Sequence, residues 1–499
     1  MKSRRVVAVV GLVALLGLSA ACGGGATSHG PEGSQSDAAA RAPQQESEAQ
    51  ARPTAAAPEK KSQEQDTEVS QISTFALDVD TASYDYARRT LGAGTWPAPD
   101  QIRPEEFVNA FRQDYAEPRD NGFTVHVDGA MIPGRTNEGL VRVGLQTRRS
   151  DAAARRPANL TFVVDVSGSM AETGRLDLVQ SALRTLLGQL GAGDQVAIVS
   201  FSTDAQVVAD MTPLVSRDAL LAAVDALAIS GGTNVAAGLT KGYEIAARGF
   251  RPAATNRVIL LSDGLANAGD TTWQGILDRV SEHAGRQITL LTVGVGREYG
   301  DELMEQLADN GDGHAIYVST VEEAEQAFVK NLPATIELRA RDAKAQVVFN
   351  QSVVESYELI GYENRQLATE EFRDDSKDGG EVGPGHAVTA LYAVKLVPGA
   401  SGQLAAATVR WQDPDTRTPA ESSKALEAAD LHESLWAKAP LRLQVDAVVA
   451  AFALYMRDRQ AFGMDLGSLS EQAARLAAEA EDPQLAELAQ LVEQARKLG

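Results

Sequence analysis

NLTFVVDVSGSM, residues 159–170, is the stretch that decides the architecture. Leu160, Phe162, Val163, Val164 and Val166 crowd together too closely for a strand with one wet face. They fit a strand buried on both sides, as in a parallel sheet sandwiched between helices. The strand gives way to Asp165, Ser167 and Ser169, alternating oxygen-bearing side chains where the chain leaves the sheet. On their own, such residues serve equally well as helix caps and turn formers.

The pattern continues downstream. Further strands are expected at Gln195–Phe201, Ala205–Met211, Asn256–Asp263, Gln287–Val295 and His314–Ser319. Helical stretches at Arg175–Leu190, Arg217–Ala228, Val235–Ala247, Trp273–Ala284, Asp301–Ala308 and Val321–Asn331 separate most of them. Apolar strands alternating with amphipathic helices predict an α/β unit over 157–336 with a mostly parallel sheet. One connection breaks the rule, since only Ser202, Thr203 and Asp204 join Phe201 to Ala205. So short a loop permits only a hairpin, which makes Ala205–Met211 an antiparallel edge strand.

Two more segments bear on the Asp165 loop. Gly231-Gly232-Thr233-Asn234 opens a helix, and ILLSDG puts Asp263 at the carboxyl end of the next parallel strand. Ligands of open α/β sheets bind outside the carboxyl ends of the strands, where the strand order reverses. If the Asp165 strand neighbours both the Gln195 and the Asn256 strands, all three segments meet there. Together they offer two carboxylates (Asp165, Asp263) and three hydroxyls (Ser167, Ser169, Thr233), with no thiolate or imidazole. Hard oxygens suit Mg²⁺, with Mn²⁺ or Ca²⁺ as alternatives, over Zn²⁺ or Cu²⁺. Neutral hydroxyl ligands would leave the ion electrophilic, and a helix start beside Met170 would favour an anion.

The DxSxS pattern, the GGTN threonine and the SDG aspartate, in that order, resemble a von Willebrand factor type A domain. The resemblance implies a metal-ion-dependent adhesion site on Asp165, Ser167, Ser169, Thr233 and Asp263. It further implies direct ligation by the serines and the threonine, aspartates acting directly or through water, and an Asp or Glu of a partner protein completing the shell.

On either side the patterning turns to β. Phe123, Val125 and Val127, then Val141, Val143 and Leu145, alternate as in two half-buried strands within a segment spanning 71–156. Strand patterns resume over 337–415, interrupted by the acidic, glycine-rich EEFRDDSKDGGEVGPGH. The two sets are expected to complete a β-sandwich into which the α/β unit is inserted. Residues 425–499 read as helical, with a capping box at Ser468 and Glu471 and an N-cap at Asp482 before Pro483. The flanks STFALDVDTASYDYARR, YELIGYENR and GHAVTALY resemble the terminal segments of a bacterial subfamily of secreted or lipid-anchored proteins with this domain at their centre.

The amino terminus names a compartment. Lys2, Arg4 and Arg5 precede the uncharged run Val6–Ala21. That run is a secretory signal (1–21), short of the roughly 20 apolar residues of a spanning helix. It ends on Cys22, the only cysteine of the chain. Small residues before a cysteine resemble a bacterial lipobox, although Ser19 stands where leucine is usual and Leu18 lies one position further back. An acylated Cys22 would anchor the chain to the extracytoplasmic face of the cell membrane without spanning it. Residues 22–70 contain one valine, Val69, and no leucine, isoleucine, methionine, phenylalanine, tyrosine or tryptophan. Such a segment cannot offset its chain entropy and reads as a disordered tether. The formal net charge of −22 would repel phosphate backbones and argues against nucleic acid as a partner.

Three other functions compete for this sequence. Asp78 and Asp80 in FALDVDTAS are similar to the nucleophile loop of haloacid-dehalogenase-type phosphatases, which would make a metal-dependent phosphohydrolase, but Ala82 stands where a β-branched residue is needed. Asp80 and Thr81 are expected to cap the helix that follows. A serine hydrolase needs GxSxG, whereas Ser167 lies in DVSGS. His29 falls in the tether, and His126, His283, His314, His386 and His432 bear no recognisable relation to a nucleophile. A metal-independent envelope scaffold is the bland alternative. The expected protein is therefore a lipid-anchored binding module and not an enzyme.

Overall fold

The computed structural model describes residues 71–498 except positions 78, 151–155, 173, 264–267, 270–271, 273, 277, 279–286, 297–301, 310, 312, 321–322, 325–327, 329–335, 376, 378 and 460–461. The leader, Cys22, the tether, His29, Asp78, His283 and most of the helices expected at Trp273–Ala284 and Val321–Asn331 lie outside the described residues.

The chain begins with β1 (Ile72–Ala76), α1 (Ala82–Gly92), α2 (Pro104–Asn109), β2 (Phe123–Met131) and β3 (Glu138–Thr147). Next come β4 (Ala158–Asp165), α3 (Arg175–Gln189), β5 (Gln195–Phe201), β6 (Ala205–Pro213), α4 (Arg217–Asp225) and α5 (Val235–Arg248). They are followed by β7 (Thr255–Ser262), β8 (Ile288–Val295), α6 (Glu302–Asp309) and β9 (His314–Val318). Strands return as β10 (Ala340–Phe349), β11 (Val354–Ile360), β12 (Gly380–Val382), β13 (Ala387–Leu396), β14 (Gln403–Gln412) and β15 (Pro419–Glu427). The last elements are α7 (Leu435–Lys438), α8 (Leu441–Asp458), α9 (Leu466–Ala480) and α10 (Pro483–Leu498).

The six-stranded sheet runs β6-β5-β4-β7-β8-β9, parallel throughout except for β6. Every residue of β4 is buried, and its side chains divide between two cores with the period of a strand. Phe162 and Val164 pack with Leu183 and Leu186 of α3, while Val163 packs with Leu239 and Tyr243 of α5. The edge strand β6 has no buried residue, because no strand among the described residues pairs with its outer edge, and Val207 is left 43% exposed. Because β5 and β7 flank β4 on opposite sides, the order reverses at β4, and a crevice opens beyond its carboxyl end.

A β-sandwich brackets this α/β unit in the chain. One antiparallel sheet is β1-β10-β14-β15, with β12 also on β10; the other is β11-β13-β3-β2. Between them lie Phe75, Val143, Leu145, Val347, Tyr392 and Val409. Two features differ from the sequence reading. β3 is buried along almost its whole length, not half-buried, because a layer of helices covers its second face. There Arg142 reaches Asp446 of α8, and the Tyr115 ring lies over Gly144, where a Cβ would come within 2.1 Å of it. In addition, β15 runs through position 425, so the carboxyl-terminal helices start only at Leu435.

Those helices do not stand apart. Tyr84 and Leu91 of α1 and Phe107 of α2 share one core with Leu443, Val448 and Phe452 of α8 and with Leu469, Leu488 and Val492 beyond it. Asp465, and not Ser468, caps α9, its Oδ1 accepting from the Ser468 N–H at 2.7 Å. Asp465 starts the helix three residues earlier, which places Ser468 inside its first turn. Asp482 Oδ1 accepts from the Gln484 N–H at 3.0 Å at the start of α10. Among the described residues, no helix is long and apolar enough to cross a membrane.

Candidate metal centre

Asp165 ends β4 with its side chain wholly buried. The chain leaves the strand at once, so its carboxylate faces the backbone of its own loop and the neighbouring strand. Oδ1 accepts from the Ser167 N–H at 2.8 Å, and Oδ2 accepts from the Ser262 hydroxyl of β7 at 2.6 Å. Burial pushes the Asp165 carboxyl above its ordinary range; these bonds pull it down, and the nearby Asp263 charge pushes it up again. The Ser167 and Ser169 hydroxyls are 3.0 Å apart. Met170 sits in a 3-10 turn, Gly168–Ala171, so the helix expected beside it starts later, at Arg175.

Backbone bonds tie the second loop to the first. Gly168 N–H donates to the Gly231 carbonyl at 3.1 Å, and Ser230 N–H to the Val166 carbonyl at 2.6 Å. Thr233 is buried in this loop. Asn234 then caps α5 by accepting from the Ala237 N–H at 3.1 Å, and its own N–H donates to the Ser202 carbonyl at 2.8 Å. The cap thus locks the threonine loop against the β5–β6 hairpin.

Asp263 follows β7 directly, its side chain only 2% exposed. Oδ2 accepts from Arg175 Nη1 at 2.8 Å, whereas Oδ1 is buried with no hydrogen-bond partner among the described residues. A buried carboxylate oxygen left unpaired is costly, and a hard cation supplies what is missing. The donor set therefore fits a divalent ion. Among the described residues, no group of three or more His, Cys, Asp or Glu side chains is placed to hold a metal, so the case rests on this hydroxyl-rich set. Sequence reasoning missed Ser262, adjacent to Asp263, and Arg175, a cation at a helix start where the dipole disfavours one.

The other candidates lie elsewhere. Asp80 is buried near Arg365 (3.8 Å), and Thr81 holds the N-cap position of α1 without a side-chain cap bond. The Ser83 N–H there is taken by Glu106 Oε2 at 2.8 Å. His126 stacks on Tyr115, and desolvation, followed by the Arg257 charge, lowers the His386 pKa to about 4.

Residues 159–330 match the von Willebrand factor type A domain family, and 334–498 match the family described as "Uncharacterized protein YfbK, C-terminal". Residues 55–142 match a family described as "von Willebrand factor". The chain thus carries a von Willebrand factor type A domain joined to a YfbK-type C-terminal domain. It is 34% identical to Uncharacterized protein YfbK of Escherichia coli (strain K12) over 367 residues, 72% of this chain and 63% of that protein. It is 32% identical over 165 residues to inter-alpha-trypsin inhibitor heavy chain H4 of Sus scrofa, 31% of this chain and 18% of that one. The chain thus spans less than two thirds of either relative. A solved von Willebrand factor type A structure from Catenulispora acidiphila is similar at 16% identity and a TM-score of 0.47, covering 75% of this chain and 91% of that one.

Proposed function

We propose that the α/β unit recognises an Asp or Glu of a partner protein through a divalent cation, Mg²⁺ first and Mn²⁺ or Ca²⁺ as alternatives. Asp165, Ser167, Ser169, Thr233 and Asp263 would hold the ion. The observation that carries this reading is the buried, unpartnered Oδ1 of Asp263, just past the strand that pairs with β4. Asp165 and Asp263 supply charge, and the serine and threonine hydroxyls supply neutral oxygens. Backbone bonds that join the serine loop to the threonine loop support this reading. When bound, the ion supplies an open position to an incoming carboxylate. Calorimetric titration of the purified chain with Mg²⁺ should give measurable heat that Asp165→Ala abolishes; identical curves for the two proteins would overturn the assignment.

Anchoring belongs to the same proposal. Acylation of Cys22 would anchor the chain to the extracytoplasmic face of the cell membrane. Cys22→Ser should release the protein into the medium, and continued membrane fractionation would count against it. Binding, not turnover, is the proposed role.

A further inference from the structure

Arg175 is the first residue of α3, where the positive end of the helix dipole disfavours a cation. Its side chain is nevertheless only 11% exposed. Nη1 donates to Asp263 Oδ2 at 2.8 Å and to the Ser169 carbonyl at 3.3 Å, and Nη2 pairs with Glu172 at 2.8 Å. Two of those three partners belong to the proposed metal set. Gly296, at φ +122°, completes the cradle, since a Cβ there would lie 2.9 Å from Arg175 Nε. Helix capping explains none of this, so the guanidinium is placed for Asp263.

We propose that Arg175 is a built-in competitor for the divalent cation, holding Asp263 in the metal-free protein and yielding that carboxylate when the ion enters. This deepens the metal reading above and rests on it. Asp263 carries one negative charge, and a guanidinium on Oδ2 beside a dication on Oδ1 would repel it at close range in a buried setting. A released guanidinium has a place to go, because Glu172 already pairs with it and is 70% exposed. The site therefore has two arrangements, one closed by an internal ion pair and one opened by metal. Arg175 sets the concentration at which they exchange.

The test is titration of the full chain with Mn²⁺, followed by its spin resonance signal, in wild type, Arg175→Lys and Arg175→Gln. Arg175→Gln should bind Mn²⁺ at least tenfold more tightly than wild type, with Arg175→Lys between, and its metal-free unfolding midpoint should fall. Equal or weaker binding by folded Arg175→Gln overturns the competitor role while wild-type binding leaves the metal reading standing. Absence of binding in every protein overturns both. A crystal structure of the wild type with Mn²⁺ gives a reading independent of the variants. Arg175 turned away from Asp263 supports the proposal, and Nη1 still bonded to Oδ2 beside a bound ion overturns it.

Discussion

Arg142 of β3 and Asp446 of α8 form an ion pair of 2.8 Å with side chains 7% and 0% exposed, joining the sandwich to the helical layer. Arg142 also holds Asp128 of β2 at 2.7 Å, and Gln113 donates to Asp446 at 2.7 Å. Removing Asp446 leaves Arg142 its bidentate pair with Asp128 but takes a hydrogen-bond partner from buried Nη1 and from the Gln113 amide. Asp446→Ala is expected to cost about 1–3 kcal/mol. Urea unfolding measures it, and a loss below 1 kcal/mol would show the pair to be dispensable.

That pair also shows where sequence reading stops. The central sheet was legible because strands buried on both faces are runs of apolar residues, as Phe162–Val164 and Val258–Leu261 are, and because three residues after Phe201 allow only a hairpin. The Asp165 and Asp263 motifs were legible for a related reason, since each lies at the end of a strand that the apolar run marks, whereas the Thr233 motif reads as the start of α5. β3 was not, because what covers its second face is supplied by Tyr115 and by Asp446, far along the chain. Nor was β15: its PAESSKALE is an exposed edge whose polar side chains face water, leaving little apolar alternation to detect. Arg175 carries no motif at all; its role exists only once α3 is laid beside the end of β7.

Gly144 gives a second test of the covered face. A Cβ at this position would lie within 2.6 Å of three Tyr115 ring atoms, and the Tyr115 hydroxyl is engaged with Thr389 at 3.0 Å. The ring cannot retreat without breaking that bond. Gly144→Ala should therefore destabilise the protein by about 1–3 kcal/mol through overpacking. In the Tyr115→Ala background the same substitution should cost much less, and equal costs in both backgrounds would refute the contact.

Asp85 makes stability depend on pH. Burial raises its pKa to about 6, with Arg88 lowering it and Glu323 raising it in turn. Arg88 serves three carboxylates at once, those of Asp85, Glu323 and Glu487, so its charge is divided. Between about pH 4 and 6 the folded chain holds more proton at Asp85 than the unfolded chain does, so this group's contribution falls as pH rises through that window. Asp85→Asn should be more stable than wild type at pH 7.5, by about 1 kcal/mol given its 30% exposed side chain. The advantage should vanish near pH 4. Parallel stability curves for the two proteins would show that Asp85 does not titrate in this way.

Metal should couple to stability through Asp165. An ion that binds only the folded chain stabilises it by an amount set by its concentration relative to Kd, about 2.7 kcal/mol at a hundredfold excess. Wild type should accordingly unfold at a higher temperature in Mg²⁺ than in chelator, and Asp165→Asn should show no difference. Ser262→Ala separates the support from the ligand. It removes the hydroxyl that donates to Asp165 Oδ2 at 2.6 Å and leaves that buried oxygen unpaired, at a cost of about 1–3 kcal/mol in the metal-free protein. All the proposed ligands remain, so Mg²⁺ should still raise its unfolding temperature. If Ser262→Ala lost the metal response as completely as Asp165→Asn, Ser262 would belong among the ligands. If Asp165→Asn kept the full response, the ion would not be bound at this crevice.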